Sequence, residues 1–89
     1  MVRGNHFHRR KFERFAVVSG EAIIRLRRLF TSEILEFPVT GERPTWVDMP
    51  TFYTHSIENV GKGSLLTLFW SDEIFDPENP DTYFEKVIP

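Results

Sequence analysis

The chain contains no cysteine. That excludes a disulfide framework and every thiolate zinc site, and it fits a reducing, cytoplasmic setting. No apolar run approaches the roughly 18 residues that a membrane span needs. The N-terminus lacks the charged and apolar regions of a signal peptide, so neither kind of segment is expected. Charge of one sign is scarce as well. Eleven Lys and Arg against 13 Asp and Glu leave a net charge of −2, too little for a general attraction to nucleic acid or to a membrane surface. No glycine-rich dinucleotide fingerprint follows a strand, so no NAD(P) site and no reductase activity are expected in this chain.

What is present suits a small β domain. Eighty-nine residues support one domain with one modest core, and nine phenylalanines are enough to fill it. Short apolar or alternating stretches separated by turn signals predict strands over 13–19, 22–31, 34–39, 45–49, 55–60 and 64–70, the last being the most apolar. Along 22–31, Ala22, Ile24 and Leu26 share one face and Ile23, Arg25 and Arg27 the other. The prolines of Asp76-Pro77-Glu78-Asn79-Pro80-Asp81 exclude a strand there, and 81–87 is expected to make one helical turn with Asp81 or Thr82 near its cap. The fold class is therefore an all-β sandwich or barrel. Residues 1–12 form an arm, 13–75 the strands and 76–89 a short irregular or helical tail.

The chemistry concentrates in Gly4-Asn5-His6-Phe7-His8, Glu13, Gly20, Pro50, His55 and Asn59. On a strand, His6 and His8 point to one face. Two such imidazoles, a carboxylate and a distant third imidazole are a donor set for Zn, Fe, Mn, Ni or Cu. Zinc is the first choice.

These residues also carry a resemblance. Gly4, His6, His8, Glu13 and Gly20 resemble the first motif of cupins, and Pro50, His55 and Asn59 the second, with Phe52 standing where that motif has glycine. More narrowly, Gly4–Glu13, the Ile-Arg-Leu-Arg run at 24–27, Asp48–Gly61 and Trp70–Phe84 are similar to the C-terminal cupin domain of bacterial capsular-polysaccharide-assembling reductase/epimerases. The resemblance implies a cupin-like jelly-roll barrel. A cupin has one or more strands before its first motif, so the barrel is expected to be open, or completed by a partner chain as a homodimer.

It further implies that His6, His8, Glu13 and His55 ligate a divalent metal. The implied reaction is C3 epimerisation of a UDP-4-keto-6-deoxy-N-acetylhexosamine, in surface polysaccharide precursor synthesis, beside a fused or separate short-chain reductase. Candidate proton carriers are Tyr53, Lys11 and a histidine not engaged by metal. Arg25 and Arg27 would bind the pyrophosphate, with a solvent face bridged to Glu21, Glu33 or Glu36 as the alternative. Trp70, with Trp46 and Phe52, would stack on uracil or sugar, or else belong to the core. Two other readings stay open: a non-catalytic metal-binding or dimerisation module, and another metal cupin such as a dioxygenase or isomerase.

Overall fold

The computed structural model describes residues 2–73 and 76–88, so residues 74 and 75 of the expected strand region lie outside the described residues. Eight strands follow in order: β1 (Val2–Phe7), β2 (Glu13–Ser19), β3 (Glu21–Arg28), β4 (Ile34–Thr40), β5 (Trp46–Met49), β6 (Tyr53–Asn59), β7 (Leu66–Ser71) and β8 (Tyr83–Phe84). They form a five-stranded sheet in the order β4-β3-β6-β1-β8 and a three-stranded sheet in the order β5-β2-β7. Every pairing is antiparallel. Among the described residues there is no helix.

The period-2 pattern of β3 sets the core. Ala22, Ile24 and Leu26 are buried and pack with Val17, Val39, Val47 and Met49 between the two sheets. β4 can carry Pro38 because it is the outer strand of the large sheet, where a missing donor breaks no internal ladder.

Three expectations are corrected. The strand predicted over 22–31 stops at Arg28, whose carbonyl accepts the N–H and hydroxyl of Thr31, while Phe30 takes a left-handed φ of 67°. The strand predicted over 64–70 begins at Leu66 and runs to Ser71, with Leu66, Leu68 and Trp70 exposed on its outer face. The tail makes no helical turn. Its backbone donors and acceptors go to the large sheet instead: Tyr83 and Phe84 pair with Phe7 and His6. The Glu85 N–H donates to the Asn5 carbonyl at 2.9 Å, and the Val87 N–H to Asn5 Oδ1 at 3.2 Å.

Candidate metal centre

His6 reaches the interior through a bulge. Gly4 opposes Ser56 and His6 opposes His55, so Asn5 is an extra residue in β1. A regular strand would aim Asn5 inward and His6 outward; one inserted residue reverses that. Gly4 has φ 99°, and a Cβ there would meet the His55 carbonyl oxygen at 2.8 Å, so only glycine fits. Asn5, with φ 58°, is turned out and binds the tail.

His55 faces the same side. It lies opposite both His6 and Leu26, and directly opposed residues share a face. Glu13 arrives from the small sheet, where it opposes Met49 and Ser71. His8 follows β1 on the loop to β2, and Phe52 latches that loop: its N–H donates to the His8 carbonyl at 2.8 Å. Phe52 adopts φ 63°, the left-handed backbone that the cupin motif supplies with glycine, so the turn keeps its shape despite the substitution.

The four predicted ligands converge. One donor atom from each of His6, His8, Glu13 and His55 lies within 4.8 Å of every other. Ring centroids of His6 and His55 are 4.6 Å apart, and His8 lies 5.3 Å from each. His8 is 1 % and His55 2 % exposed. His8 Nδ1 donates to the Asp81 carbonyl at 2.8 Å, and Nε2 stands 2.6 Å from Glu13 Oε1. A carbonyl only accepts, so Nδ1 carries hydrogen. In the neutral ring Nε2 then presents a lone pair to a carboxylate, a repulsion that a cation bound by both atoms would relieve.

The His55 ring nitrogens are both buried without a hydrogen-bond partner, although Nε2 lies 3.7 Å from Glu13 Oε1. Orphaned buried imidazole nitrogens are costly. Tetrahedral donors roughly 2.0–2.2 Å from a metal lie about 3.4 Å apart, so closing this set opens the 2.6 Å contact of His8 with Glu13 and draws the wider pairs together. The residues fit a divalent cation.

Electrostatics agree with that fit. Burial, then the nearby His6 and His8, pull the His55 pKa down to about 4. Burial and His8 lower His6 as well. Burial alone would raise Glu13, but the His8 hydrogen bond and the charges of His8, His55 and Lys11 hold it below its usual value. All three groups are thus biased toward their unprotonated, metal-binding forms. Beside them opens a cavity of about 380 Å³, with Arg3, Phe15, Met49, Ile57 and Phe69 on its walls.

Lys11 belongs to this neighbourhood, since its charge acts on both His6 and Glu13. The remaining candidates lie elsewhere. Tyr53 packs against the core and borders a separate hollow with Arg28, Thr31, Glu33 and Leu35. Arg25 and Arg27 oppose Ser56 and Thr54, the face of the large sheet away from His55. Arg25 bonds Glu36 at 2.7 Å and Glu58 at 2.6 Å. Arg27, 5 % exposed, donates to the carbonyls of Thr31, Lys86 and Val87 and to Glu85. Trp70 lies on the outside of the small sheet, its ring 4.2 Å from that of Trp46. Asp81, expected near the cap of a helical turn, instead bonds His8 and the loop after it; nothing in the Asp-Pro-Glu-Asn-Pro-Asp string signals that contact.

Over residues 1–83 the sequence matches the family described as polysaccharide biosynthesis C-terminal domain. The chain belongs to this family. It is 39% identical over 83 residues to the Pseudomonas aeruginosa UDP-2-acetamido-2,6-beta-L-arabino-hexul-4-ose reductase, covering 93% of this chain and 22% of that protein. It superposes with TM-score 0.96 and 47% identity on the capsular polysaccharide assembling protein CapF of Staphylococcus aureus, covering 98% of this chain and 25% of that one. The chain thus spans about a quarter of the length of these relatives. At 17% identity and TM-score 0.75 it matches 93% of its length to 56% of QdtA, a sugar 3,4-ketoisomerase of Thermoanaerobacterium thermosaccharolyticum, solved with TDP. That likeness shows a shared fold, and the family's fold in this chain is cupin-like.

Proposed function

We propose that this domain is a metal-dependent epimerase of surface-polysaccharide precursor synthesis, inverting C3 of a UDP-4-keto-6-deoxy-N-acetylhexosamine. The observation that carries the reading is the convergence of His6, His8, Glu13 and His55 beside a cavity in a chain of this family. The P. aeruginosa relative is named for a UDP-linked hexul-4-ose, a sugar with a C4 ketone. A companion reductase is one proposed partner, supported by the name of the same relative. A second copy of the chain is the other proposed partner, supported by the exposed apolar side chains of the outer strand β7. Zinc is the proposed ion, because imidazole and carboxylate donors suit it and the reaction needs no redox change.

A ketone at C4 acidifies the C3 proton, and inversion requires that this proton leave one face and a proton return on the other. A divalent ion held by the four residues would act as Lewis acid on the C4 carbonyl. Lys11, whose charge acts on His6 and Glu13, would offset negative charge developing on that oxygen and return a proton to C3 after a solvent base has taken the original one from the opposite face. Phe15, Met49, Ile57 and Phe69 keep the walls apolar, which strengthens each of these interactions. Tyr53, Arg25, Arg27 and Trp70 have no place in this scheme, since their side chains make their contacts elsewhere.

The test is deuterium wash-in at C3. The zinc-loaded protein with the UDP-4-keto sugar in heavy water should exchange that hydrogen well above the buffer rate. Lys11→Met should slow exchange roughly 100-fold, within the range for loss of one acid–base group, without loss of zinc. Tyr53→Phe should leave it unchanged. Exchange at the buffer rate would leave a non-catalytic metal-binding module.

A further inference from the structure

The loop that brings His8 to the donor cluster has no ladder of its own, because β1 ends at Phe7 and β2 starts at Glu13. Phe52 holds its start, at the His8 carbonyl, and Asp72 its end, at Phe12; between them a carboxylate from the tail holds three successive N–H groups. Asp81 Oδ1 accepts the Arg9 N–H at 3.0 Å, and Oδ2 accepts the N–H groups of Arg10 and Lys11 at 2.8 Å each. The backbone carbonyl of the same residue accepts from His8 Nδ1 at 2.8 Å. Asp81 is 3 % exposed and has φ 52°. A left-handed backbone is strained for a non-glycine residue, and here four hydrogen bonds over-determine it.

We propose that Asp81 is a positioning residue of the metal centre: its carboxylate fixes the Arg9–Lys11 loop, and its carbonyl fixes the tautomer and direction of His8. The inference rests on reading His6, His8, Glu13 and His55 as ligands. An imidazole is free to turn about its terminal torsion unless its second nitrogen is held. The Asp81 carbonyl holds it, so Nε2 points at Glu13 and the other donors. The carboxylate decides where that carbonyl sits, because it ties the tail to the three residues that follow His8. The same clamp places Lys11, whose N–H is one of the three it accepts. Partners of this kind set ligand orientation and basicity in metal sites.

Zinc and cobalt(II) titrations of wild type, Asp81→Asn and Asp81→Ala, with unfolding of the metal-free proteins, test the assignment. Asp81→Asn keeps the backbone carbonyl and tolerates left-handed backbone, but loses one acceptor oxygen. Its zinc dissociation constant should rise about 10- to 100-fold and its cobalt absorption bands should shift, while metal-free unfolding changes little. Asp81→Ala should do more of the same.

An unchanged dissociation constant with an unchanged cobalt spectrum overturns the proposal. So does a loss of affinity that only tracks metal-free stability under a wild-type cobalt spectrum. If neither variant folds, nitrogen NMR of His8 in the zinc-loaded wild type decides: hydrogen on Nδ1 and metal on Nε2 supports the assignment, and coordination through Nδ1 overturns it. A wild-type protein that takes up no zinc, cobalt, nickel, iron or manganese overturns the ligand reading itself; binding by wild type with indifferent variants overturns only the role of Asp81.

Discussion

His55 and Glu13 come from different sheets, yet His55 Nε2 lies 3.7 Å from Glu13 Oε1 with no hydrogen bond between them. A core ordinarily satisfies such atoms or excludes them. Here two sheets converge on a polar gap, so the protein should hold one metal ion per chain. His55→Ala should reduce bound zinc to trace levels by elemental analysis. Stoichiometric zinc in that variant would contradict the assignment.

The same burial makes the metal-free protein acid-sensitive. The folded pKa of His55 is lowered from 6.5 to about 4, so between those pH values the unfolded chain binds the extra proton and stability falls as pH falls. The loss is on the order of 3 kcal/mol across that window. Glu13 acts in the same direction: its pKa is lowered, and the stability it adds above its unfolded value disappears as pH drops through its folded one. Urea unfolding of chelator-treated protein at pH 7 and pH 4.5 should show this decline; equal midpoints would contradict it.

Gly4→Ala should harm site and fold together. The new Cβ would meet the His55 carbonyl oxygen at 2.8 Å and Ser56 Cα at 3.1 Å, at φ 99°. The backbone cost alone is about 1–2 kcal/mol, and relief of the clash must move β1, which carries His6. A fall in melting temperature together with weaker zinc binding is expected from calorimetry and titration.

Arg27→Met should cost about 3 kcal/mol, by stranding the carbonyls of Lys86 and Val87 that the guanidinium now satisfies. The exposed Glu85 carboxylate contributes little of this. Denaturant melts measure the loss, and faster amide exchange confined first to the tail would locate it.

Phe52→Gly tests the substituted motif position. Glycine would remove about 1–2 kcal/mol of left-handed strain and add about 0.5–1 kcal/mol of chain entropy, so a small net stabilisation is expected in thermal unfolding. A destabilised variant would show that the Phe52 ring makes an important contact.

The donor set is legible in sequence because side-chain type reports metal chemistry; the shared strand face expected of His6 and His8 is not what joins them, since β1 ends at Phe7 and His8 lies on the loop. The bulge that makes His6 face inward is only hinted at: Gly4 inside a strand is a bulge signal, but which neighbour is the inserted residue follows from the register. Asp81 escapes for another reason. Its contribution to His8 is a main-chain carbonyl, which every residue possesses, delivered across 73 positions of sequence. Alternation along β3 correctly pairs Arg25 with Arg27. It does not say that their face looks away from the imidazoles; that follows from the pairing of Leu26 with His55.

The exposed connection around Pro77–Pro80 lies between the β sandwich and the residues that orient His8. A single proteolytic cut there would turn an intramolecular tether into a bimolecular one, and the freed peptide would be diluted away from the loop it clamps. The metal centre would then be dismantled from outside, with every ligand still in place along the chain.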